Sequence, residues 1–244
     1  MLLEGEVVIL AGGTGRVGGA TLATLLREGS SVLLLSRERH AAEDAVQRNA
    51  TAEQRGRVAV LAVDLSSPEG GKAAVGEAIR CFGRIDAAVS LAGGRRFLSL
   101  DESNLDDLRA NVEFNLYTTY NLMLPALSAM LAQEPRPGAR SRGRLVAVSA
   151  GSSKDPQPTY ALMGASKAAV NVLMQGIARE HKADRIVANA LVLGTVATDA
   201  ARGYLSREDF EAAASPEEVA DVLAFLASDR SSGINGALVD LNAR

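Results

Sequence analysis

Residues 6–19 read EVVILAGGTGRVGG, an aliphatic run that breaks into glycines and then passes into the Ala/Leu-rich stretch 16–28. The run has the near-continuous apolar character of a strand buried on both faces. Gly12, Gly15 and Gly18 follow it at three-residue spacing. Three spaced glycines cost backbone entropy that a plain strand–helix turn does not require. Placed between a buried strand and a helix, they allow a tight turn and let backbone N–H groups approach a pyrophosphate, to which the helix adds its positive end. The turn therefore predicts a dinucleotide site built from Gly12, Thr14, Gly15, Arg16, Val17 and Gly18, with a ligand-free glycine turn as the plainer alternative.

Outward from this turn the same alternation continues to the end of the chain. Apolar runs fall at 6–11, 31–36, 57–63, 85–91, 143–149, 185–192 and 236–240, and stretches at helical period at 16–28, 39–49, 69–82, 105–132, 160–182 and 216–228. Strand–helix alternation with short connections predicts an α/β fold, a doubly wound parallel sheet of about seven strands of the Rossmann type. There is no internal repeat and no linker, so residues 1–244 are expected to form one domain. One segment differs: EPRPGARSRGR, 134–144, carries two Pro, two Gly and four Arg and is expected to be a mobile, solvated surface loop.

Composition narrows the function classes. The 244 residues carry 26 Lys+Arg against 29 Asp+Glu, a net charge of −3, which argues against a surface devoted to nucleic acid. One cysteine, Cys81, forbids an internal disulfide and a multi-cysteine zinc site, and His40 and His181 lie too far apart for a metalloprotease motif, so no metal is expected. No apolar run approaches the roughly 18 residues of a membrane span. The start, MLLEGEVVILAGG, lacks a basic leader and a cleavage site, and cytoplasm is the default expectation.

The second strand ends in Ser36-Arg37-Glu38-Arg39. Dinucleotide sites selective for NAD usually place an acid at this point to bind the ribose hydroxyls. Here a hydroxyl is followed by a guanidinium, which can pair with a 2′-phosphate. The expected cofactor is NADP(H), with Arg37 as its main reader; the alternative is a surface charge at a helix start, where Arg is poorly placed against the dipole.

With these residues in view the chain resembles the short-chain dehydrogenase/reductase family over nearly its whole length. Asp64-Leu65 after the third strand looks like that family's adenine-contacting pair, and Ala92-Gly93 matches the end of its N-N-A-G motif. Asn115 falls where the family keeps an active-site Asn, and Lys167, in GASKAAVNVL, where it keeps the catalytic Lys. The segment GTVAT, with Gly194, Val196 and Thr198, resembles the family segment that runs along the nicotinamide and phosphates, and Asn189 fits the V-N pattern before it.

The departures are as informative. Four residues before Lys167, where the family's Tyr usually stands, is Met163; the usual Ser position holds Ala150. Ser90-Leu91 replaces two Asn, Arg16 a loop glycine, Leu193 a Pro, and Asp240-Leu241-Asn242 the terminal D-G-G. Enoyl-thioester reductases of the same superfamily place Tyr seven residues before Lys, often with Met-Gly between, and this chain reads Tyr160-Ala-Leu-Met163-Gly164-Ala-Ser-Lys167. At about 100° per residue, positions i, i+3 and i+7 share a helix face, so Tyr160, Met163 and Lys167 would point together if the helix begins by Tyr160. Seven residues rise about 10 Å, against about 6 Å for four, which would carry the phenol toward the mouth of the pocket. Ser149, Ser152 and Ser153 are the hydroxyls near enough to stand in for the missing Ser, with Ser149 expected to point away by strand alternation.

The resemblance implies an NADP(H)-dependent oxidoreductase acting on a small-molecule enoyl or carbonyl compound, with Tyr160 as proton donor, Lys167 on the nicotinamide ribose, and Asn115 holding a water or a backbone kink beside it. It also implies a homodimer or homotetramer through helices 105–132 and 160–182, whose apolar residues include Leu116, Leu122, Met123, Leu127, Val170, Leu173, Met174 and Ile177. The segment 199–215 would be the substrate lid, with Tyr204 and Phe210 as its aromatics and Arg202 and Arg207 as its cations. Two other readings stay open: a non-catalytic NADP(H)-binding protein used for sensing or assembly, and an epimerase-like protein, disfavoured because those also place Tyr four residues before Lys.

Overall fold

The computed structural model describes residues 1–94, 98–203 and 205–241. Seven strands, β1 (Val7–Ala11), β2 (Ser31–Ser36), β3 (Val58–Ala62), β4 (Ala87–Ser90), β5 (Gly143–Ala150), β6 (Ile186–Leu193) and β7 (Leu238–Leu241), form one sheet in the order β3-β2-β1-β4-β5-β6-β7, with every pairing parallel. The α-helices between them are α1 (Arg16–Arg27), α2 (Arg39–Asn49), α3 (Pro68–Phe82), α4 (Leu105–Val112), α5 (Thr118–Ala132), α6 (Ala161–Glu180), α7 (Arg207–Ala212) and α8 (Pro216–Ala227). The doubly wound Rossmann arrangement expected from the alternation is the one observed.

Period-2 geometry splits the strands between two cores. Val8, Leu10, Val32, Leu34, Val89 and Val146 pack with Leu22, Leu25, Ala42, Val219 and Leu223 of α1, α2 and α8. Ile9, Ala11, Leu33, Ala88, Leu145 and Ala147 pack with Ala74, Leu122, Met123, Val170 and Met174 of α3, α5 and α6. With helices on both faces the central strands bury both sides, which is why their sequences show no polar alternation.

The strand order reverses between β1 and β4. In open α/β sheets this switch point opens a crevice beyond the carboxyl ends of the strands. Here Leu91 donates its N–H to Ala11 O at 3.0 Å, holding the loop after β4 against the glycine turn.

Three departures from the sequence expectation have clear physical causes. The segment 134–144 is not a free loop. Arg136 spans both carboxylate oxygens of buried Asp86 at 2.9 and 2.8 Å, Arg142 donates to the carbonyls of Leu131 and Gln133, and Arg144, inside β5 and 2% exposed, pairs with Glu6. Arg140 and Ser141 donate to Asp229, and these bonds, working against burial, hold its carboxyl down to about 2. The carboxylates that capture the arginines come from residues far away in sequence, so composition alone read the segment as solvated.

The predicted helix 105–132 is helical throughout but carries a π-helical turn, Glu113–Tyr117, between α4 and α5. Helix α6 begins at Ala161, leaving Tyr160 as its N-cap with φ −100° and ψ 0°, so the helical-face projection does not extend to Tyr160 itself. Among the described residues no helix is long and apolar enough to cross a membrane, and no cluster of His, Cys, Asp or Glu could hold a metal ion.

Candidate active site

A cleft of about 1090 Å³ lies over the switch point. Its floor begins at the glycine turn, where each glycine has a different task. Gly12 has φ +83°, and a Cβ there would sit 2.8 Å from the carbonyl carbon of Leu91. A Cβ on Gly18 would collide with Gly12 O. These two permit the close approach of strand, helix and neighbouring loop. Gly15 differs: a Cβ there would meet nothing within 4 Å, because it faces the open cleft. Gly15 caps α1 without a side-chain hydrogen bond, and the first turn of α1 carries no acid. The positive end of α1 is thus left for an anion. Cleft size, glycine cradle and uncapped helix end together fit a dinucleotide.

Of the residues anticipated for the cofactor, Gly12, Thr14, Gly15, Arg16, Val17, Gly18, Ser36, Arg37, Asp64, Leu65, Ala92, Gly93 and Thr198 line this cleft. Gly194 and Val196 stand outside the lining: Gly194 donates to Leu241 O at 2.9 Å, and Val196 bridges to Ala214. Ser36 Oγ accepts from Glu38 N at 3.2 Å, which shapes the turn that presents Arg37 to the cleft. Hydrogen bonds from the Ser66 backbone and side chain, with a smaller contribution from the Arg37 charge, hold the Asp64 carboxyl below its ordinary range. Sequence reasoning missed Glu38, Ser66, Glu113, Phe114, Thr118 and Val148 in the lining. Three of these come from the π-helical turn and its exit; no periodicity signal announces that extra residue.

None of the three residues anticipated for catalysis is in the lining itself. Lys167 is buried, 7% exposed, and donates from Nζ to Val148 O at 2.8 Å; burial, with no compensating charge, pulls it down to about 8. A Cβ on Gly93 would lie 3.1 Å from Lys167 Nζ and 2.7 Å from Asn115 Oδ1, so both side chains converge on Gly93 at the cleft floor. Asn115, in the π-helical turn and 0% exposed, accepts from Gly94 N at 3.3 Å and donates from Nδ2 to Gly94 O, Asn111 O and Ser166 Oγ at 3.0, 3.0 and 3.1 Å. Tyr160, half-buried, donates its N–H to Gln157 O and accepts from Gly164 N, which fixes its backbone at the start of α6.

The three serines near Ala150 separate cleanly. Ser149 Oγ bonds to Ser153 Oγ and Lys167 O, and Ser153 Oγ accepts from Asn171, so both face the body of α6. Ser152 Oγ is buried and has no partner among the described residues. Asn189 is buried and bonds Ile234 O and Ala237 N, tying β6 to the approach of β7.

The segment 199–215, expected to be a substrate lid, is pinched at its base. Val196 and Ala214 form a parallel bridge, Ala197 N donates to Ala214 O at 2.9 Å, and Thr198, Asp199 and Ala200 reach over the cleft. Arg202 stacks 4.1 Å from the centroid of Phe210, and Arg207 pairs with Glu211, so both cations of this segment are engaged locally. Tyr204 and Asn242 lie outside the described residues.

Comparison with known proteins agrees with this architecture. A family model described as enoyl-(acyl carrier protein) reductase matches residues 15–243. The chain is 26% identical over 251 residues to 2,3-dihydroxy-2,3-dihydro-p-cumate dehydrogenase of Pseudomonas putida, covering 98% of this chain and 94% of that one. It is 28% identical over 252 residues to 3-oxoacyl-[acyl-carrier-protein] reductase of Thermotoga maritima, covering 99% and 98%. A short-chain dehydrogenase/reductase of Brucella melitensis shares the fold, with a TM-score of 0.86 at 23% identity and coverage of 99% and 96%. The chain belongs to the short-chain dehydrogenase/reductase family. These relatives are oxidoreductases named for different substrates, so similarity places the chain among oxidoreductases without selecting a substrate.

Proposed function

We propose that the protein is an NADP(H)-dependent reductase of an enoyl or carbonyl compound, with Tyr160 as its proton donor. The observation that carries this reading is the convergence of Lys167 Nζ and the Asn115 side chain on Gly93, at the floor of a dinucleotide-sized cleft, with Lys167 seven residues after Tyr160, the N-cap of α6. When bound, the nicotinamide cofactor supplies the hydride. The glycine turn and the free end of α1 hold the diphosphate, and Arg37 reads the 2′-phosphate. The Lys167 ammonium binds the ribose hydroxyls. Tyr160 delivers its proton to the oxygen on which negative charge collects in the reduced product. Asn115 keeps Gly93–Gly94 and α6 in register.

The test is NADPH oxidation against a panel of enoyl thioesters, quinones and ketones, followed by Tyr160→Phe. Turnover that falls at least a hundredfold in the variant supports the reading. Unchanged turnover removes Tyr160 from the chemistry.

Ala150, which brings no hydroxyl, and the absence of Tyr160 from the cleft lining favour a second reading, that of a cofactor-binding protein without turnover. Saturable NADPH fluorescence with no oxidation on any panel member supports it. In either case a second copy of the chain is the proposed partner. Leu122, Met123, Val170 and Met174 are spent in the monomer core, but Tyr117, Tyr120 and Val172 stay 51%, 45% and 67% exposed on the α5 and α6 side. Light scattering at the mass of a monomer would end that proposal.

A further inference from the structure

Ser166, one residue before Lys167, is 2% exposed, and its hydroxyl links α6 to the π-helical turn. It accepts from Asn115 Nδ2 at 3.1 Å and donates to Met163 O at 2.8 Å. Asn115 in turn grips both the N–H and the carbonyl of Gly94. One continuous path of hydrogen bonds thus runs from the loop over the cleft floor, through the π-helical turn, to the first turn of α6. The backbone of that turn is held by Tyr160 N–H to Gln157 O and Gly164 N–H to Tyr160 O, and the Ser166 hydroxyl adds its tie to the π-helical turn. The N-cap of α6, Tyr160, provides no side-chain cap to the helix, and the preceding Thr159 sits at φ 70°, in the left-handed region that a β-branched residue disfavours.

We propose that Ser166 is a positioning residue whose hydroxyl, held by Asn115, sets the first turn of α6 and with it the placement of Tyr160 relative to Lys167. The proposal rests on the reductase reading for its effect on turnover, but the brace itself is a property of the apo protein. Removing the hydroxyl leaves Asn115 Nδ2 its bonds to Asn111 O and Gly94 O, so the fold and the glycine cradle persist while the α6 first turn loses its tie.

The experiment compares wild type, Ser166→Ala and Ser166→Cys by three readouts: amide exchange at residues 161–167 in the apo protein, NADPH affinity by fluorescence titration, and turnover on whichever panel substrate is reduced. In Ser166→Ala the exchange at 161–167 is expected to rise about tenfold relative to α8, turnover to fall about tenfold, and the NADPH Kd to change less than threefold. Ser166→Cys, nearly isosteric and a weak hydrogen-bonding group, is expected to recover part of the exchange protection and of the rate. Unchanged exchange at 161–167 in Ser166→Ala overturns the brace. Exchange that rises equally throughout the chain shows a general structural role and overturns it too. Should the wild type reduce nothing on the panel, the reductase reading fails, while the exchange comparison still decides whether Ser166 holds the turn.

Discussion

Lys167 Nζ donates a 2.8 Å hydrogen bond to Val148 O, and burial lowers its affinity for a proton to a pKa of about 8. In the unfolded chain the same amine titrates near 10.5. Below about pH 8 both states hold the proton and the fold bears the full cost of a buried ammonium. Stability therefore rises as pH increases from about 8 to 10.5, where only the unfolded chain remains protonated. A shift of this size corresponds to about 3 kcal/mol. Lys167→Met is expected to stabilise the apo protein at pH 7 by up to about 3 kcal/mol, to lose the rise between pH 8 and 10.5, and to weaken NADPH binding. Urea denaturation at pH 7 and pH 10 measures all but the last; a variant no more stable than wild type at pH 7 would show that the ammonium is solvated.

Arg37 faces the cleft beside Asp64 and Glu38. If its guanidinium reads the 2′-phosphate, Arg37→Ala raises the NADPH Kd at least tenfold and leaves the NADH Kd within twofold. Fluorescence titration with both cofactors checks this, and equal losses would mean that Arg37 contributes only general charge.

The glycine turn separates ligand space from packing space. Gly15→Ala meets no atom of the protein, so its melting temperature should stay within about 2 °C of wild type while NADPH affinity falls at least fivefold. Gly18→Ala collides with the Gly12 carbonyl and should lower stability by 1–3 kcal/mol, roughly the cost of overpacking. A Gly15→Ala protein that binds NADPH normally would place the diphosphate elsewhere.

Arg144 and Glu6 are an ion pair at the opposite end of the sheet from the cleft, where burial raises the Glu6 carboxyl and Arg144 only partly offsets it. Arg144→Met leaves that carboxyl without its cation and is expected to cost about 3–5 kcal/mol. Adding Glu6→Gln should recover much of the loss. Chemical denaturation of the two variants gives the comparison, and a single variant within 1 kcal/mol of wild type would show that the pair is dispensable, roughly the size of an exposed pair.

Much of this architecture was legible because its signals are local. Aliphatic runs placed β1 through β7 to within about two residues, and the glycine spacing marked the turn that lines the cleft. What escaped was non-local. Arg136 and Arg144 looked solvated because nothing near them in sequence shows that Asp86 and Glu6 wait across the sheet. The π-helical turn at Glu113–Tyr117 has the composition of ordinary helix, and its bulge owes nothing to any pattern of apolar residues. Tyr160 escaped by a single residue: a projection from Lys167 assumes helical dihedrals, and the helix stops at Ala161.

The bridge between Val196 and Ala214 gives the molecule a modular margin. Because the two ends of the intervening segment are stitched to one another, a change in its length is confined between them. Lengthening such a loop is entropically cheap, about 0.6 kcal/mol for each doubling. Residues can thus be inserted or exchanged beyond this bridge while the glycine turn and the sheet beneath keep their shape.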